Sequence, residues 1–248
     1  MAYDAHGLTF TASAAGAAAW DHAIAGYLGY RADTGQRLAA LLAADPECGL
    51  AHVLAGYFAM LGFHAGLLPA AREQAARARP LLAGASAREQ AHLAALEAWI
   101  DGAPSRAVAR WEAILAEFPT DSLAFRLAHF VNFWLGRADR MRASVLAVER
   151  HWDPAWPSYA TLLACRCFAF EECGHYLEAE TAGREAIARD PADLWAAHGV
   201  AHVLEMQGRR AEGIAWIEAL APNWEAANNL RHHLHWHAAM YRFERGEF

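Results

Sequence analysis

The sequence has no excess of basic residues, because 28 Asp and Glu outnumber 21 Lys and Arg. The resulting net charge of −7 argues against a partner that is bound through its phosphate backbone, so we expect no nucleic-acid ligand. Cysteine is scarce, and its spacing fits neither a secreted disulfide framework nor paired zinc knuckles. We therefore predict a cytoplasmic protein with reduced thiols at Cys48, Cys165, Cys167 and Cys173, the last three buried in helices.

Long apolar runs are missing as well. The N-terminus shows no basic region followed by an apolar stretch, so we predict no secretory signal. The most apolar segment, residues 50–63, is shorter than the ~20 residues that a membrane helix needs, and we predict no membrane partner. Alternating runs of β-branched residues are also lacking, whereas Ala, Leu, Glu and Arg fill the segments between breaks, which predicts an entirely helical fold.

Apolar residues make up 56% of the 248 residues and charged residues only 20%, which predicts a folded chain with a continuous core. This length suits one large domain or an array of repeats. The chain also contains 14 histidines and 10 tryptophans, which are high numbers for its length. These residues are the first candidates for function.

Regularly spaced glycines divide the second half of the chain into helical hairpins. They recur at intervals of 34, 38, 34 and 38 residues, at Gly102, Gly136, Gly174, Gly208 and Gly246. Each follows an apolar helical pattern, and between them lie residues that cannot occupy a helix interior, namely Pro119, Pro154, Pro191 and Pro222. The pattern predicts helix, glycine turn, helix, proline turn. Earlier helices are predicted at residues 20–30, 35–44, 49–62 and 69–82.

One hairpin resembles a tetratricopeptide repeat, in the frame G-x-Y-x2-A-x6-A-x4-P that is formed by Gly174, Tyr176, Ala179, Ala186 and Pro191. Other hairpins fit it less well, with Met141 and Gly213 at positions where alanine is expected. We predict an all-α fold: a right-handed α-solenoid of degenerate tetratricopeptide-like hairpins forming a single domain over residues 1–248. Because Gly246 and Phe248 repeat the turn of Gly174 and Tyr176, we expect the last hairpin to be truncated, or its end to be covered by a second chain in a homodimer.

Histidines concentrate on the first helices of the hairpins, which line the concave groove of a tetratricopeptide array. These are His52, His92, His129, His198, His202, His233 and His237. Residues at i, i+4 and i+7 share a helix face, so His198, His202 and Glu205 form one stripe, and His233 and His237 form another. Four imidazoles and a carboxylate converge in the groove when both stripes face it.

Such a set favours a divalent metal such as zinc, with His198, His202, His233 and His237 as ligands. An open coordination position would supply a nucleophilic water and hence hydrolytic chemistry. Without a metal, His202, Glu205 and His237 are candidates for acid-base catalysis, as in a hydrolase or lyase. The helix lacks the Glu of the H-E-x-x-H signature, so that protease mechanism is not predicted.

Several candidates have a structural alternative. The isolated His52, His92 and His129 are candidate ligand-binding residues, but histidines on Ala-rich helices are also commonly hydrogen-bonded packing residues. Most tryptophans suit the hairpin core, whereas Trp134, Trp156 and Trp236 adjoin groove helices and could line a pocket for a small molecule. The alternative function is a scaffold that binds a peptide or protein in the groove without catalysis.

A more specific resemblance rests on six groups of residues: Arg88-Glu89-Gln90-x-His92, Trp111-Glu112-x-Ile114-Leu115, Pro119-Thr120-Asp121, His129 with Phe133-x-Leu135-Gly136, His198-x3-His202-Val203-x-Glu205-Met206, and Trp236-His237 with Gly246-Glu247-Phe248. From Asp4 to its last residue the chain resembles the tetratricopeptide repeat protein 38 family. The resemblance implies an all-helical protein that continues past this sequence, and it implies no substrate. The family's motif falls on His52, His92, His129, His198, His202, Glu205, His233 and His237, whereas His232 and His235 are particular to this chain.

Overall fold

A computed structural model of the protein describes residues 1–247, and over these residues the chain is helical apart from two strands of two residues each. Strands β1 (Ala2–Tyr3) and β2 (Thr9–Phe10) pair antiparallel, and the turn between them is held by Asp4, whose carboxylate accepts the Leu8 amide at 2.9 Å. Strands this short carry no alternating pattern, so the sequence did not predict them. Phe248 lies outside the described residues, and so does the part of the predicted truncated hairpin that includes it.

Thirteen α-helices occupy residues 1–247. They are α1 (Ala14–Leu28), α2 (Thr34–Ala44), α3 (Gly49–Leu61), α4 (Leu68–Leu81), α5 (Ala87–Ile100), α6 (Pro104–Glu117), α7 (Ser122–Trp134), α8 (Ala138–Val148), α9 (Tyr159–Glu171), α10 (Tyr176–Arg189), α11 (Leu194–Met206), α12 (Arg210–Leu220) and α13 (Leu230–Glu244). None of them combines the length and the apolar character that a bilayer crossing would need. Helix α1 begins well before the predicted residue 20, because the Ala-rich segment from Ala14 is a strong helix former and the Ser13 hydroxyl accepts the Gly16 amide at 3.0 Å.

The predicted glycine turns are confirmed. Each of the five glycines follows a helix and adopts a positive φ, for example 73° at Gly102 and 77° at Gly174, a conformation that costs glycine little because it has no Cβ. The Gly174 amide donates to the Glu171 carbonyl at 2.8 Å, which closes the end of α9. The four prolines fall in the connections that follow the second helices, as predicted.

The described chain forms two compact units. The first consists of Met1–Ala25 and Gly35–Gly136, and the second of Gly26–Thr34 and the chain from Arg137 onward. Within the first unit α3 packs on α4 and α5, and α6 packs on α5 and α7. Within the second unit α9 packs on α10 and α11, and α13 packs on α11 and α12. Helix α11 is therefore the neighbour of both α9 and α13.

Small residues allow the helices of the second unit to approach closely. A Cβ added to Gly199 on α11 would lie 2.7 Å from the Cys167 sulfur of α9, and one added to Gly183 on α10 would lie 2.6 Å from the same sulfur. Gly213 on α12, where the tetratricopeptide frame calls for alanine, faces the Tyr241 ring of α13, and a Cβ added there would lie 2.5 Å from Cε2 of the ring. The departure from the frame at Gly213 therefore makes room for an aromatic ring.

A buried polar network fixes the centre of the first unit. Asp121 caps α7 by accepting the Ala124 amide at 2.9 Å, and its other oxygen accepts from Arg88 at 2.7 Å and from His92 Nε2 at 3.0 Å. Burial would raise the pKa of Asp121, but the neighbouring His92 and Arg88 outweigh it and hold the pKa of this carboxyl well below its usual value. The Tyr57 hydroxyl donates to the His92 carbonyl at 2.6 Å and accepts the Trp111 indole N–H at 3.0 Å.

We expect Asp121→Asn to lower the free energy of unfolding by about 3 to 5 kcal/mol, because it removes the nearer carboxylate partner of the buried Arg88 guanidinium and leaves only Asp4, 4.0 Å away. Asparagine still caps a helix, so the change isolates the lost charge. Urea denaturation measures the loss, and Asp101→Asn at an exposed position is the matched control. A loss for Asp121→Asn no larger than that of the control would contradict this account.

Candidate functional site

The four histidines of the predicted stripes lie together between two neighbouring helices. His198 and His202 are one turn apart on α11, and His233 and His237 are one turn apart on α13. The ring centroids of the five contacting pairs are 4.3 to 5.2 Å apart. One nitrogen of each ring lies within 4.8 Å of one nitrogen of every other. We call these four residues the histidine cluster.

Two ring nitrogens of the cluster lie within hydrogen-bond distance of a third. The Nε2 atoms of His198 and His233 are 3.0 Å apart, and those of His233 and His237 are 3.1 Å apart. A neutral imidazole carries one N–H and one lone pair, so each of these contacts requires one proton between two nitrogens. His233 Nε2 takes part in both contacts but can carry only one proton.

A carboxylate orients His237 from the opposite side. Glu205 on α11 accepts a hydrogen bond from His237 Nδ1 at 3.1 Å, which places the proton of this neutral ring on Nδ1. Its Nε2 then presents a lone pair to His233. This pairing of a histidine with a carboxylate is typical of residues that ligate metals.

Glu171 on α9 faces His202 at a longer distance, without a hydrogen bond, and the sequence did not predict it. Its Oε2 lies 3.5 Å from His202 Nδ1, and the residue is buried. Glu171 precedes Gly174 by the same three residues that separate Glu205 from Gly208, so it occupies the equivalent position of the preceding hairpin. Comparison of hairpins at the glycine turns would have found it.

Aromatic rings enclose the cluster on one side and leave it open on another. Phe168 of α9 stacks on His198 with centroids 5.4 Å apart, and His198 is only 5% exposed. On α13, Trp236 stacks on His233 with centroids 5.4 Å apart, and the Trp236 side chain is 51% exposed. Solvent therefore reaches the cluster on the side of His233 and Trp236.

Burial opposes protonation of two members of the cluster, His237 and His233. It lowers the pKa of His237 to about 3, with the neighbouring His202 and His233 contributing in the same direction. Burial and His202 also lower the pKa of His233. Neutral imidazole is the protonation state that binds a metal ion.

The other predicted ligand-binding residues, except Trp236, belong to the first unit. His52 is buried between Gln74, whose side-chain oxygen lies 2.8 Å from Nδ1, and the Pro46 carbonyl, 2.9 Å from Nε2. His92 belongs to the Asp121 network, and His129 is fully buried, where burial and Arg126 lower its pKa well below the usual value. For His52 and His92 these hydrogen bonds are of the kind that packing histidines make, the alternative that the sequence left open.

Among the predicted pocket tryptophans, Trp134 is 61% exposed and contacts Phe63, with centroids 5.3 Å apart. Trp156 contacts Trp152 in the second unit, at 6.4 Å. Of the three cysteines that the sequence predicts in helices, Cys165 and Cys167 are buried as predicted. Cys173 is partly exposed because it lies in the turn after α9.

A comparison of the chain with models of known protein families finds no match.

We expect the free energy of unfolding of the metal-free protein to fall as the pH drops below about 6.5. Unfolded His237 binds a proton there, whereas the folded residue does so only near pH 3, so protons favour the unfolded state by up to about 1.4 kcal/mol per pH unit. Urea denaturation between pH 7 and 4 measures the slope. His237→Gln should flatten it, and His232→Gln, at an exposed position of the same helix, should not. Parallel curves for wild type and His237→Gln would refute the expectation.

Proposed function

We propose that this protein binds one divalent transition-metal ion, of the class of zinc, through the histidine cluster. The observation that carries the proposal is that His233 Nε2 lies 3.0 Å from His198 Nε2 and 3.1 Å from His237 Nε2. Glu205 holds the proton of His237 on Nδ1, so His237 Nε2 presents a lone pair to His233. A single proton on His233 Nε2 cannot serve the contacts with both His198 and His237, so one of these contacts lacks a hydrogen bond. A metal ion accepts a lone pair from every ring at once.

The distances suit such an ion. In a regular tetrahedral zinc site with zinc–nitrogen bonds of 2.0–2.1 Å, the nitrogens are about 3.4 Å apart. The two observed separations of 3.0 and 3.1 Å differ from this value by only a few tenths of an ångström, and one nitrogen of each of the four rings lies within 4.8 Å of one nitrogen of every other. The low pKa of His237 removes the competition of protons near neutral pH.

The ligands come from helices that we propose to be the first helices of successive tetratricopeptide-like hairpins in an α-solenoid. Support comes from the order of contacts in the second unit, where α9 packs on α10 and α11, and α11 packs on α12 and α13. The resemblance to the tetratricopeptide repeat protein 38 family and a cytoplasmic location remain part of this proposal. In it, the cluster faces the concave groove.

Metal-assisted hydrolytic or lyase chemistry is a second candidate, and the position of His202 favours it. His202 Nδ1 faces Glu171, and its side chain is 24% exposed, more than His198 or His237. In this candidate His198, His233 and His237 would hold the ion, which would supply an acidic bound water as nucleophile. His202 would be the base beside it, with Glu171 stabilising the charged ring.

A groove that binds a peptide or protein partner is the remaining candidate. Exposed aromatic side chains in the first unit favour it, since Trp134 is 61% and Phe63 is 56% exposed. Large apolar groups at the surface are common features of binding sites. This candidate does not use the histidine cluster.

Titration with Co²⁺ tests the metal proposal, because its visible absorption reports the ligand geometry. Protein purified without a histidine tag should bind one Co²⁺ per chain, and His233→Ala should weaken binding by at least about tenfold, because it removes a ligand. His232→Ala is the control on the same helix, with a ring exposed to solvent. Bound ion should also raise the melting temperature, since it stabilises only the folded state.

Two results would overturn the proposal. One is a wild-type protein that binds no Co²⁺ or Zn²⁺ and melts at the same temperature with either ion. The other is an equal effect of His232→Ala and His233→Ala on affinity.

A further inference from the structure

We propose a second divalent-cation site next to the histidine cluster, formed by Glu171, Glu172 and His202. One ligand atom of each of these residues lies within 4.8 Å of the other two. The two carboxylates are adjacent at the end of α9, and His202 lies across from them on α11. The inference rests on the proposed function only through His202, which belongs to both groups. Filling both sites at once requires the His202 ring to release its N–H proton to solvent and to bridge the two ions, because a neutral imidazole has a single lone pair.

The surroundings of Glu171 suit a carboxylate that binds a cation. Glu171 is 6% exposed, and its buried Oε2 makes no hydrogen bond with any of the residues 1–247. The nearest basic group described is His202 Nδ1, 3.5 Å away, which is long for a hydrogen bond. A buried carboxylate oxygen without hydrogen bonds is costly, and a bound cation would compensate for the water that it has lost.

The second carboxylate, Glu172, adds a negative charge beside Glu171 and gives a cation access to the site. Glu172 is exposed to solvent, so an ion can reach the pair from outside without opening the unit. Two negative groups side by side repel each other, and a divalent cation between them removes the repulsion. The site thus combines a buried ligand with an accessible one.

The donor set defines the class of ion. Two carboxylate oxygens and one imidazole nitrogen suit Mn²⁺, Fe²⁺ or Zn²⁺, whereas the all-nitrogen histidine cluster suits Zn²⁺, Co²⁺ or Ni²⁺. Mn²⁺ prefers oxygen ligands and has the lowest general affinity of this series. It is therefore the probe that distinguishes the second site from the first.

Electron paramagnetic resonance of free Mn²⁺ provides the test, in protein loaded with one equivalent of Zn²⁺ per chain. We expect one Mn²⁺ to bind to the wild type, and Glu172→Gln to weaken its binding by at least about tenfold, as loss of a carboxylate ligand should. Glu178→Gln, at an exposed position on α10, is the matched control and should bind as the wild type does. Glu171→Gln, which preserves the shape of the side chain, should also weaken binding.

The pattern of variants separates the two proposals. His233→Ala should lose Co²⁺ and keep Mn²⁺, Glu172→Gln should lose Mn²⁺ and keep Co²⁺, and His202→Ala should weaken both. If the wild type takes up no Zn²⁺, only the histidine-cluster proposal fails, because Mn²⁺ is then titrated into metal-free protein with the same readout. The second site is disproved if wild type binds no Mn²⁺, or if Glu171→Gln and Glu172→Gln bind it as tightly as Glu178→Gln does, with circular dichroism showing that all three are folded.

Discussion

The contact of α11 with both α9 and α13 is the constraint on which the candidate site depends. It brings together His198 and His233, which are far apart in the sequence, and places Glu171 beside His202. The approach is close because Gly199 leaves space for the Cys167 sulfur. A larger side chain at Gly199 would separate α9 from α11 and with them Glu171 from His202. The chemistry of the second unit therefore depends on glycine packing as much as on histidine.

The two units use histidine differently, and the partner atoms explain the difference. In the first unit, His92 Nε2 faces the Asp121 carboxylate, so a proton on the ring has a definite acceptor. In the histidine cluster, nitrogens face nitrogens, and Glu205 already occupies the Nδ1 of His237. The hydrogen bonds of the first arrangement are complete within the protein, whereas the second arrangement is the one for which we propose a bound ion.

Much of the local structure follows from the sequence. Glycine turns, proline breaks and the helical character depend on residues close in the chain, and Gly102 and Gly174 adopt the backbone that their positions require. The i, i+4 spacing also indicates which histidines share a helix face. Contacts between distant residues are harder to foresee: the partners of His92 are 29 and 35 residues away, at Asp121 and Tyr57. For the same reason the sequence pointed to Glu205, in the stripe, but not to Glu171 on another helix.

Tyr241 lies one turn beyond His237 on α13, and its hydroxyl donates a hydrogen bond to the carbonyl of Ala201, the residue before His202. Sliding α13 along α11 by one residue would displace it by about 1.5 Å, enough to break this bond and to misalign the rings. Docking of α13 and occupancy of the metal site that we propose would therefore be thermodynamically linked. In that proposal the concentration of available ion sets how often α13 detaches, and removal of the ion exposes the inner surface of α11 to proteases and to other proteins.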